Sequence, residues 1–374
     1  MQGARPTLAA VDLGAIRANF AEARRHAAER EVIAVVKADA YGHGVLPVVR
    51  TLLDAGCGRL AVMTVAEAAP LRDAGVDVPV LVLGGVHDPA EAREAAARGL
   101  TPVVHHAGHV ALLRGAAGST PIAVHVEVDS GMRRMGIAPS EAVALLEAVA
   151  GEPALELAGI YTHFARADEP DLGPSLEQLA AFRGVLEDAQ ARGVDPGLVH
   201  VAASGGLLAD KALADALPAE RAVRPGLMLY GASPAGHLAA RLRPAMTLRT
   251  QVVAVRSVGT GDGVGYSAEF RAAAPTRVAT LAIGYADGVP VAASNRGSVL
   301  IRGRRMPIAG RVSMDLVTVD AGDEPVAIGD EAILFGEGQG TRLPVEEAAE
   351  AAGTISYELL VRVGSRVPRV FIEG

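Results

Sequence analysis

Up to about residue 235 the chain alternates between two textures. Short β-branched runs at 32–37, 59–64, 79–83, 101–105, 122–129, 157–162, 198–203 and 222–230 are each followed by Ala-, Arg- and Glu-rich stretches. In AIRANFAEARRHAAER and SLEQLAAFRGVLEDAQARG the apolar residues recur three or four apart, the period of a helix with one buried face. Eight strand-like units with helical connectors predict a (β/α)8 TIM-like barrel; an open doubly wound sheet is the alternative. After about residue 240 the pattern changes. TLRTQVVAVRSVG, TRVATLAIGYADG, GSVLIRGRRMPIAG and RVSMDLVTVD alternate or run β-branched between Gly, Asp and Pro, with one helical stretch in PVEEAAEAAGT. The predicted organisation is an α/β barrel over 12–235 followed by a mostly β C-terminal domain over 236–374, which residues 1–11 are expected to join.

At 374 residues the chain exceeds the size at which one core usually stops growing, in line with two domains. No run is apolar for long enough to span a bilayer. The start, MQGARPTLAAVDL, lacks a basic region followed by a long apolar one, so a cytoplasmic protein with no membrane partner is expected. A net charge of −8 argues against a nucleic-acid partner and for a small-molecule substrate. The single cysteine, Cys57, permits no intrachain disulfide and reads as a small packing residue. More informative is the basic set, which comprises 33 arginines and only two lysines, Lys37 and Lys211. A lysine kept in so arginine-rich a chain suggests chemistry that a guanidinium cannot do, such as forming an imine. Lys211, in ADKALADAL, reads as a solvated charge. Lys37 closes the apolar run Val32–Val36 and does not.

Barrel enzymes draw their catalytic groups from the C-terminal strand ends and the loops that follow. Lys37 ends the first predicted strand, Glu127 and Asp129 the fifth; His163 follows the sixth, Ser204-Gly205-Gly206 the seventh, and Arg224-Pro225-Gly226 belongs to the eighth. Ser204 and Gly226 are placed to cradle a phosphate, because Gly lets backbone N–H groups approach an anion and a hydroxyl adds a donor. A lysine at one rim position and a phosphate cradle at another suit pyridoxal 5'-phosphate, which is held at both ends. Each feature alone has a plain structural reading: Lys37 as an ion pair, Ser-Gly-Gly as a turn, His163 as a packed core histidine, Arg134 and Arg224 as surface charges. His105, His106 and His109 have no carboxylate or thiolate ligand nearby in sequence, so no metal site is expected.

Nine segments carry a more specific signal: VDLGAIRAN at 11–19, VVKADAYGHG at 35–44, VDSGMRRMG at 128–136, YTHFARAD at 161–168, VRPGLMLYG at 223–231, VGYSAEF at 264–270, IGYADG at 283–288, GRVSMD at 310–315 and TISYE at 354–358. In order and spacing the chain resembles the alanine racemases. The resemblance implies a pyridoxal-phosphate-dependent isomerase that interconverts L- and D-alanine and supplies D-alanine for cell-wall peptidoglycan. It also implies a homodimer in which each site is completed by the other subunit's second domain. Lys37 would hold the cofactor and act as one base. Tyr41, Ser204, Gly226, Leu227 and Tyr357 would bind its phosphate, Arg134 would support its phenolic oxygen, His163 would lie against the ring, and Arg224 would face the ring nitrogen. From the neighbouring subunit Tyr266 would be the second base, Met314 would help bind the substrate carboxylate together with Arg134, and Tyr285 would line the entrance.

Three positions depart from the family pattern. Glu127 stands where many members have a carbamylated lysine, Ala203 where an Asn is common, and Val291 where an Arg often follows GYADG. An anion at Glu127 is expected to pair with Arg134; the loss at Val291 has no visible compensation and leaves a serine or broader-range racemase as the alternative. A fold-related decarboxylase, a cofactor carrier and a cofactor-free Schiff-base aldolase are more distant readings. The lysine argument yields a test. Lys37→Arg should abolish racemisation, because a guanidinium with a pKa above about 12 cannot become the neutral nucleophile, while Lys211→Arg should be nearly silent. Equal loss in both proteins, or borohydride labelling at Lys211, would refute the assignment.

Overall fold

The computed structural model describes residues 5–209, 211–238, 240–338 and 340–373. Eight parallel strands, Glu31–Val35, Arg59–Val62, Val80–Val82, Thr101–Val104, Ile122–Glu127, Leu155–Tyr161, Leu198–Ala203 and Ala222–Arg224, close into a barrel, the last pairing with the first through Glu31↔Ala222 and Val32↔Val223. The barrel anticipated from the pattern is therefore the architecture. Helices cover it from outside, and their starts follow local chemistry. Asp12 caps the first, Leu13–Ala27, by accepting from Ala15 N at 2.8 Å. Thr64 and Glu67 form a reciprocal capping box at Val65–Asp73.

Strand ends differ from the sequence reading in two informative places. The first strand stops at Val35, before Lys37, and the eighth stops at Arg224, where Pro225 and Gly226 interrupt the ladder and Leu227–Tyr230 winds into a 3-10 turn. Both departures lie at the barrel mouth, where the chain leaves the sheet to build a site.

The second part of the molecule is a nine-stranded sheet built around the long strand Met246–Val258. That strand pairs antiparallel with Leu8–Asp12, which in turn pairs in parallel with Arg369–Ile372, so the first and last described strands lie in this sheet. The helical stretch read in PVEEAAEAAGT forms Val345–Ala351. No described helix is long and apolar enough to cross a membrane.

The crossover from barrel to sheet is fixed by Asn19. Its side-chain N–H groups donate to the carbonyls of Leu229 (3.1 Å) and Arg243 (2.8 Å), while its oxygen accepts from Arg243 N (2.8 Å). Two backbone segments meet there so closely that a Cβ on Gly231, at φ +82°, would stand 1.9 Å from the Arg243 carbonyl oxygen. Only glycine fits without moving the chain. Gly231→Ala should therefore destabilise the fold by about 1–3 kcal/mol, read as a lower thermal or denaturant midpoint; an unchanged midpoint would show that the crossover is not a tight joint.

Candidate active site

Beyond Val35 the backbone does something the sequence does not advertise. In the short turn Lys37–Gly42, Ala38, Asp39, Ala40 and Tyr41 all have φ of 52–55° and ψ of 40–51°, a left-handed turn made without glycine. Such a conformation costs roughly 1–2 kcal/mol per residue and persists only where surroundings over-determine it. Here they do. Glu67 accepts from Ala38 N at 2.9 Å, Asp39 accepts from Val45 N at 2.7 Å, and Arg369, from the last strand, donates to the Gly42 carbonyl at 2.9 Å. The result leaves Lys37 half-buried at the barrel mouth and Tyr41 buried beside it. Burial pushes the Lys37 amine below its ordinary pKa; Arg134 adds to the shift and Glu67 opposes it.

Around Tyr41 lies the cradle. Ser204 Oγ accepts from Gly226 N (3.0 Å) and Met228 N (3.3 Å), which leaves its own proton free to donate. A Cβ on Gly226 would fall 2.4 Å from the Tyr41 hydroxyl oxygen, so any side chain there would fill the space. Leu227 is buried next to it, and the rings of Tyr357 and Tyr41 are tilted against each other at 6.2 Å. Burial pushes Tyr357 up to about 12, keeping its phenol protonated as a donor.

Arg224 is sealed in the barrel interior. Its guanidinium donates to the carbonyls of Thr162 (3.0 Å) and Val201 (3.1 Å), to His200 Nδ1 (2.6 Å) and to His163 Nδ1 (3.2 Å), and lies 4.4 Å from the centre of the Tyr161 ring. Because a guanidinium can only donate, both imidazoles accept through Nδ1. His200 must then carry its proton on Nε2 and give it to His125 Nδ1, 2.7 Å away, which orients the whole chain. Burial, with the Arg224 charge adding to it, holds His163 down to about 3 and His200 well below the ordinary range. Among the described residues nothing accepts from Arg224 Nε and only His200 accepts from Nη1, which leaves two N–H groups without an acceptor. A half-buried amine, a hydroxyl-glycine cradle and a permanent cation with a spare donor fit pyridoxal phosphate.

Glu127 does not pair with Arg134. It sits directly across from Tyr161 in the strand register, accepts from the Tyr161 hydroxyl at 3.0 Å, and has His105 Nδ1 3.0 Å from Oε2 at an angle too poor for a hydrogen bond. Arg134 instead belongs to the exposed loop after the fifth strand and lines an open cleft of about 790 Å3, together with His87, His106 and Asp129. The loop folds back on the strand end, with Ile137 N donating to the Glu127 carbonyl at 2.9 Å, but the Glu127 carboxylate is taken up by Tyr161 while the Arg134 side chain is exposed. Among the described residues no three potential ligands are grouped to hold a metal; His105 instead approaches the Leu83 carbonyl through Nε2 at 3.1 Å and receives the His109 ring against it. Lys211 opens a short helix, Lys211–Ala216, but its side chain lies outside the described residues.

The other expected site residues lie elsewhere. Tyr266 (69% exposed), Tyr285 (44%) and Met314 (51%) face solvent in the second domain. Val291 is also exposed there, and Ala203 only closes the seventh strand. Sequence reasoning missed the supporting residues Glu67, His200, His125 and Arg369. Of these only Glu67 carried a signal, its spacing from Thr64.

The chain matches two family models, "Alanine racemase, N-terminal domain" over residues 11–234 and "Alanine racemase, C-terminal domain" over 245–371. An alanine racemase of Sorangium cellulosum is 41% identical over 99% of this chain and 100% of that protein, and one of Syntrophobacter fumaroxidans is 41% identical over 97% of each. Among solved structures, the alanine racemase of D-cycloserine-producing Streptomyces lavendulae superposes with a TM-score of 0.93 at 36% identity, covering 100% of this chain and 98% of that one. The biosynthetic enzyme of Pseudomonas aeruginosa gives 0.90 at 38% identity, covering 99% and 100%. With this agreement over both halves, and a barrel mouth built around Lys37, the chain belongs to the alanine racemase family, the pyridoxal-phosphate-dependent enzymes that interconvert L- and D-alanine.

Proposed function

We propose that this chain works as a cytoplasmic homodimer of two-domain subunits, divided at about residue 235, that interconverts L- and D-alanine for peptidoglycan with pyridoxal phosphate held on Lys37. The observation that carries this reading is the convergence of Lys37, Tyr41, Ser204, Gly226, Leu227, Tyr357, His163 and Arg224 at one end of the barrel. When bound, pyridoxal phosphate supplies an electron sink that acidifies the α-hydrogen of the substrate. Lys37, its pKa lowered by burial, is the base for the hydrogen of D-alanine. Tyr266 of a second copy serves the opposite face, since racemisation needs a proton removed on one side and returned on the other. Arg224 would hold the ring nitrogen through an unanswered N–H without giving up its proton, because a guanidinium keeps its charge. Its lower electron demand limits side reactions. His163, kept neutral, packs against the ring. Arg134 and Met314 bind the substrate carboxylate at the mouth, and Tyr285 lines the way in.

Two bases on two chains give distinct outcomes. Visible absorption and borohydride trapping on Lys37 should establish the cofactor in the native protein. Tyr266→Phe should then nearly abolish racemisation with that spectrum intact, and solvent deuterium should still enter D-alanine far faster than L-alanine. Mixing Lys37→Ala with Tyr266→Phe protein should restore activity, since a mixed dimer carries both defects in one site and neither in the other. Random exchange of equal amounts gives about a quarter of native activity. No recovery despite demonstrated subunit exchange would mean that Tyr266 acts within its own chain or that the dimer is wrong.

A further inference from the structure

The left-handed turn at 38–41 presents carbonyls that a right-handed helix would not, and one residue inside the molecule answers them. His43 is completely buried, and its Nδ1 lies 3.0 Å from the Ala40 carbonyl oxygen and 2.9 Å from that of Tyr41. Carbonyl oxygens only accept, so Nδ1 carries the proton and is shared between them. Among the described residues Nε2 is buried with no hydrogen-bond partner. A side chain kept only to fill space would not bury an unanswered nitrogen, because an apolar one of similar size avoids that penalty. What histidine adds here is the Nδ1–H.

The ring is also held in place from its face. Tyr230 packs against it with ring centres 4.7 Å apart, stacks at 4.7 Å on Tyr41 from the turn itself, and anchors its hydroxyl on the Val35 carbonyl at 2.9 Å. His43, Tyr230 and Tyr41 thus form one stack that runs from the end of the first strand to the cradle. Burial keeps the imidazole down to about 4 despite the two carbonyls, so the neutral donor form persists over the working range.

We propose that His43 is a positioning residue: its Nδ1–H clamps the carbonyls of Ala40 and Tyr41, and the clamp holds the turn that aims Lys37 and Tyr41 at the cofactor. The proposal rests on the assignment of Lys37 and Tyr41 made above. It differs from a packing role in what can replace the residue. Asparagine puts an amide N–H where Nδ1 stands; glutamine puts one near Nε2 and misses the carbonyls; leucine keeps the bulk and has no donor.

The native protein and the His43→Asn, His43→Gln and His43→Leu variants are stripped of cofactor and titrated with pyridoxal phosphate, reading visible absorption and the extent of borohydride fixation on Lys37, and then assayed with alanine. The asparagine protein should retain most of the affinity and kcat that the other two lose. The loss in glutamine and leucine should reach about a hundredfold, the scale of a displacement near 1 Å in a reacting group. Fixation on another lysine in the native protein would sink the Lys37 assignment and leave the clamp argument without its target. With native fixation on Lys37, a folded leucine protein that binds and turns over like the native one overturns the proposal. If leucine does not fold, equal behaviour of asparagine and glutamine, both good or both poor, overturns it as well.

Discussion

A charged guanidinium with almost no access to water is the constraint around which the barrel is arranged. Desolvating a cation costs several kcal/mol unless the protein replaces the lost hydration, and Arg224 finds its replacement in two backbone carbonyls, two imidazoles and the face of Tyr161. Each partner comes from the sixth or seventh strand or the loop after the sixth, so the eighth strand can end only where those elements are already closed into a barrel. The chain of consequence continues through His200 to His125, which fits because Gly159 on the next strand has no Cβ; one there would stand 2.5 Å from the His125 ring. The interior polar network is thus specified by a single direction of donation, starting from a residue that cannot accept. A guanidinium keeps its charge where a histidine or lysine so deeply buried would lose it, which suits the role proposed for Arg224 above.

The second constraint is strain. Four left-handed residues in succession are unfavourable by amounts comparable with a large share of a domain's net stability, and their supports are drawn from both parts of the molecule: Glu67 from the barrel, Arg369 and the backbone near Leu360 from the second domain. Domain contact and site geometry are therefore one problem. The second domain helps to hold the lysine turn in shape through Arg369.

Much of this was legible in the sequence, for reasons that can be named. Alternating textures gave the barrel and the β domain because apolar period is set by which faces are buried. Lys37 stood out because an apolar run ended in one of only two lysines. The left-handed turn was not legible, since KADAY contains no glycine and, besides Asp39 and His43 close by, two of its supports lie roughly thirty and more than three hundred positions away. Glu127 was paired with the wrong partner for a related reason. An anion standing in for a carbamylated lysine was expected to pair with Arg134, whereas the strand register puts Tyr161 opposite Glu127. His125 and His200 carried no signal in the sequence, because only barrel closure brings them within 2.7 Å.

What remains is why Tyr266, Tyr285 and Met314 are so exposed. Side chains left in solvent on mobile loops would lose much of their binding energy to ordering, yet two of these three sit on a stiff frame. Tyr285 N donates to the Ser313 carbonyl at 2.9 Å and Ala286 N to that of Met314 at 3.0 Å, with Gly284 pressed so close that a Cβ would fall 2.3 Å from Ser313 O. Buried Asp287 is bridged by both Arg5 and Arg366, and Arg366 reaches on to Asp315 at 2.6 Å. The ordering of this backbone is done in advance, within the single chain, so Tyr285 and Met314 are held in solvent by a hydrogen-bonded and ion-paired frame rather than by a free loop.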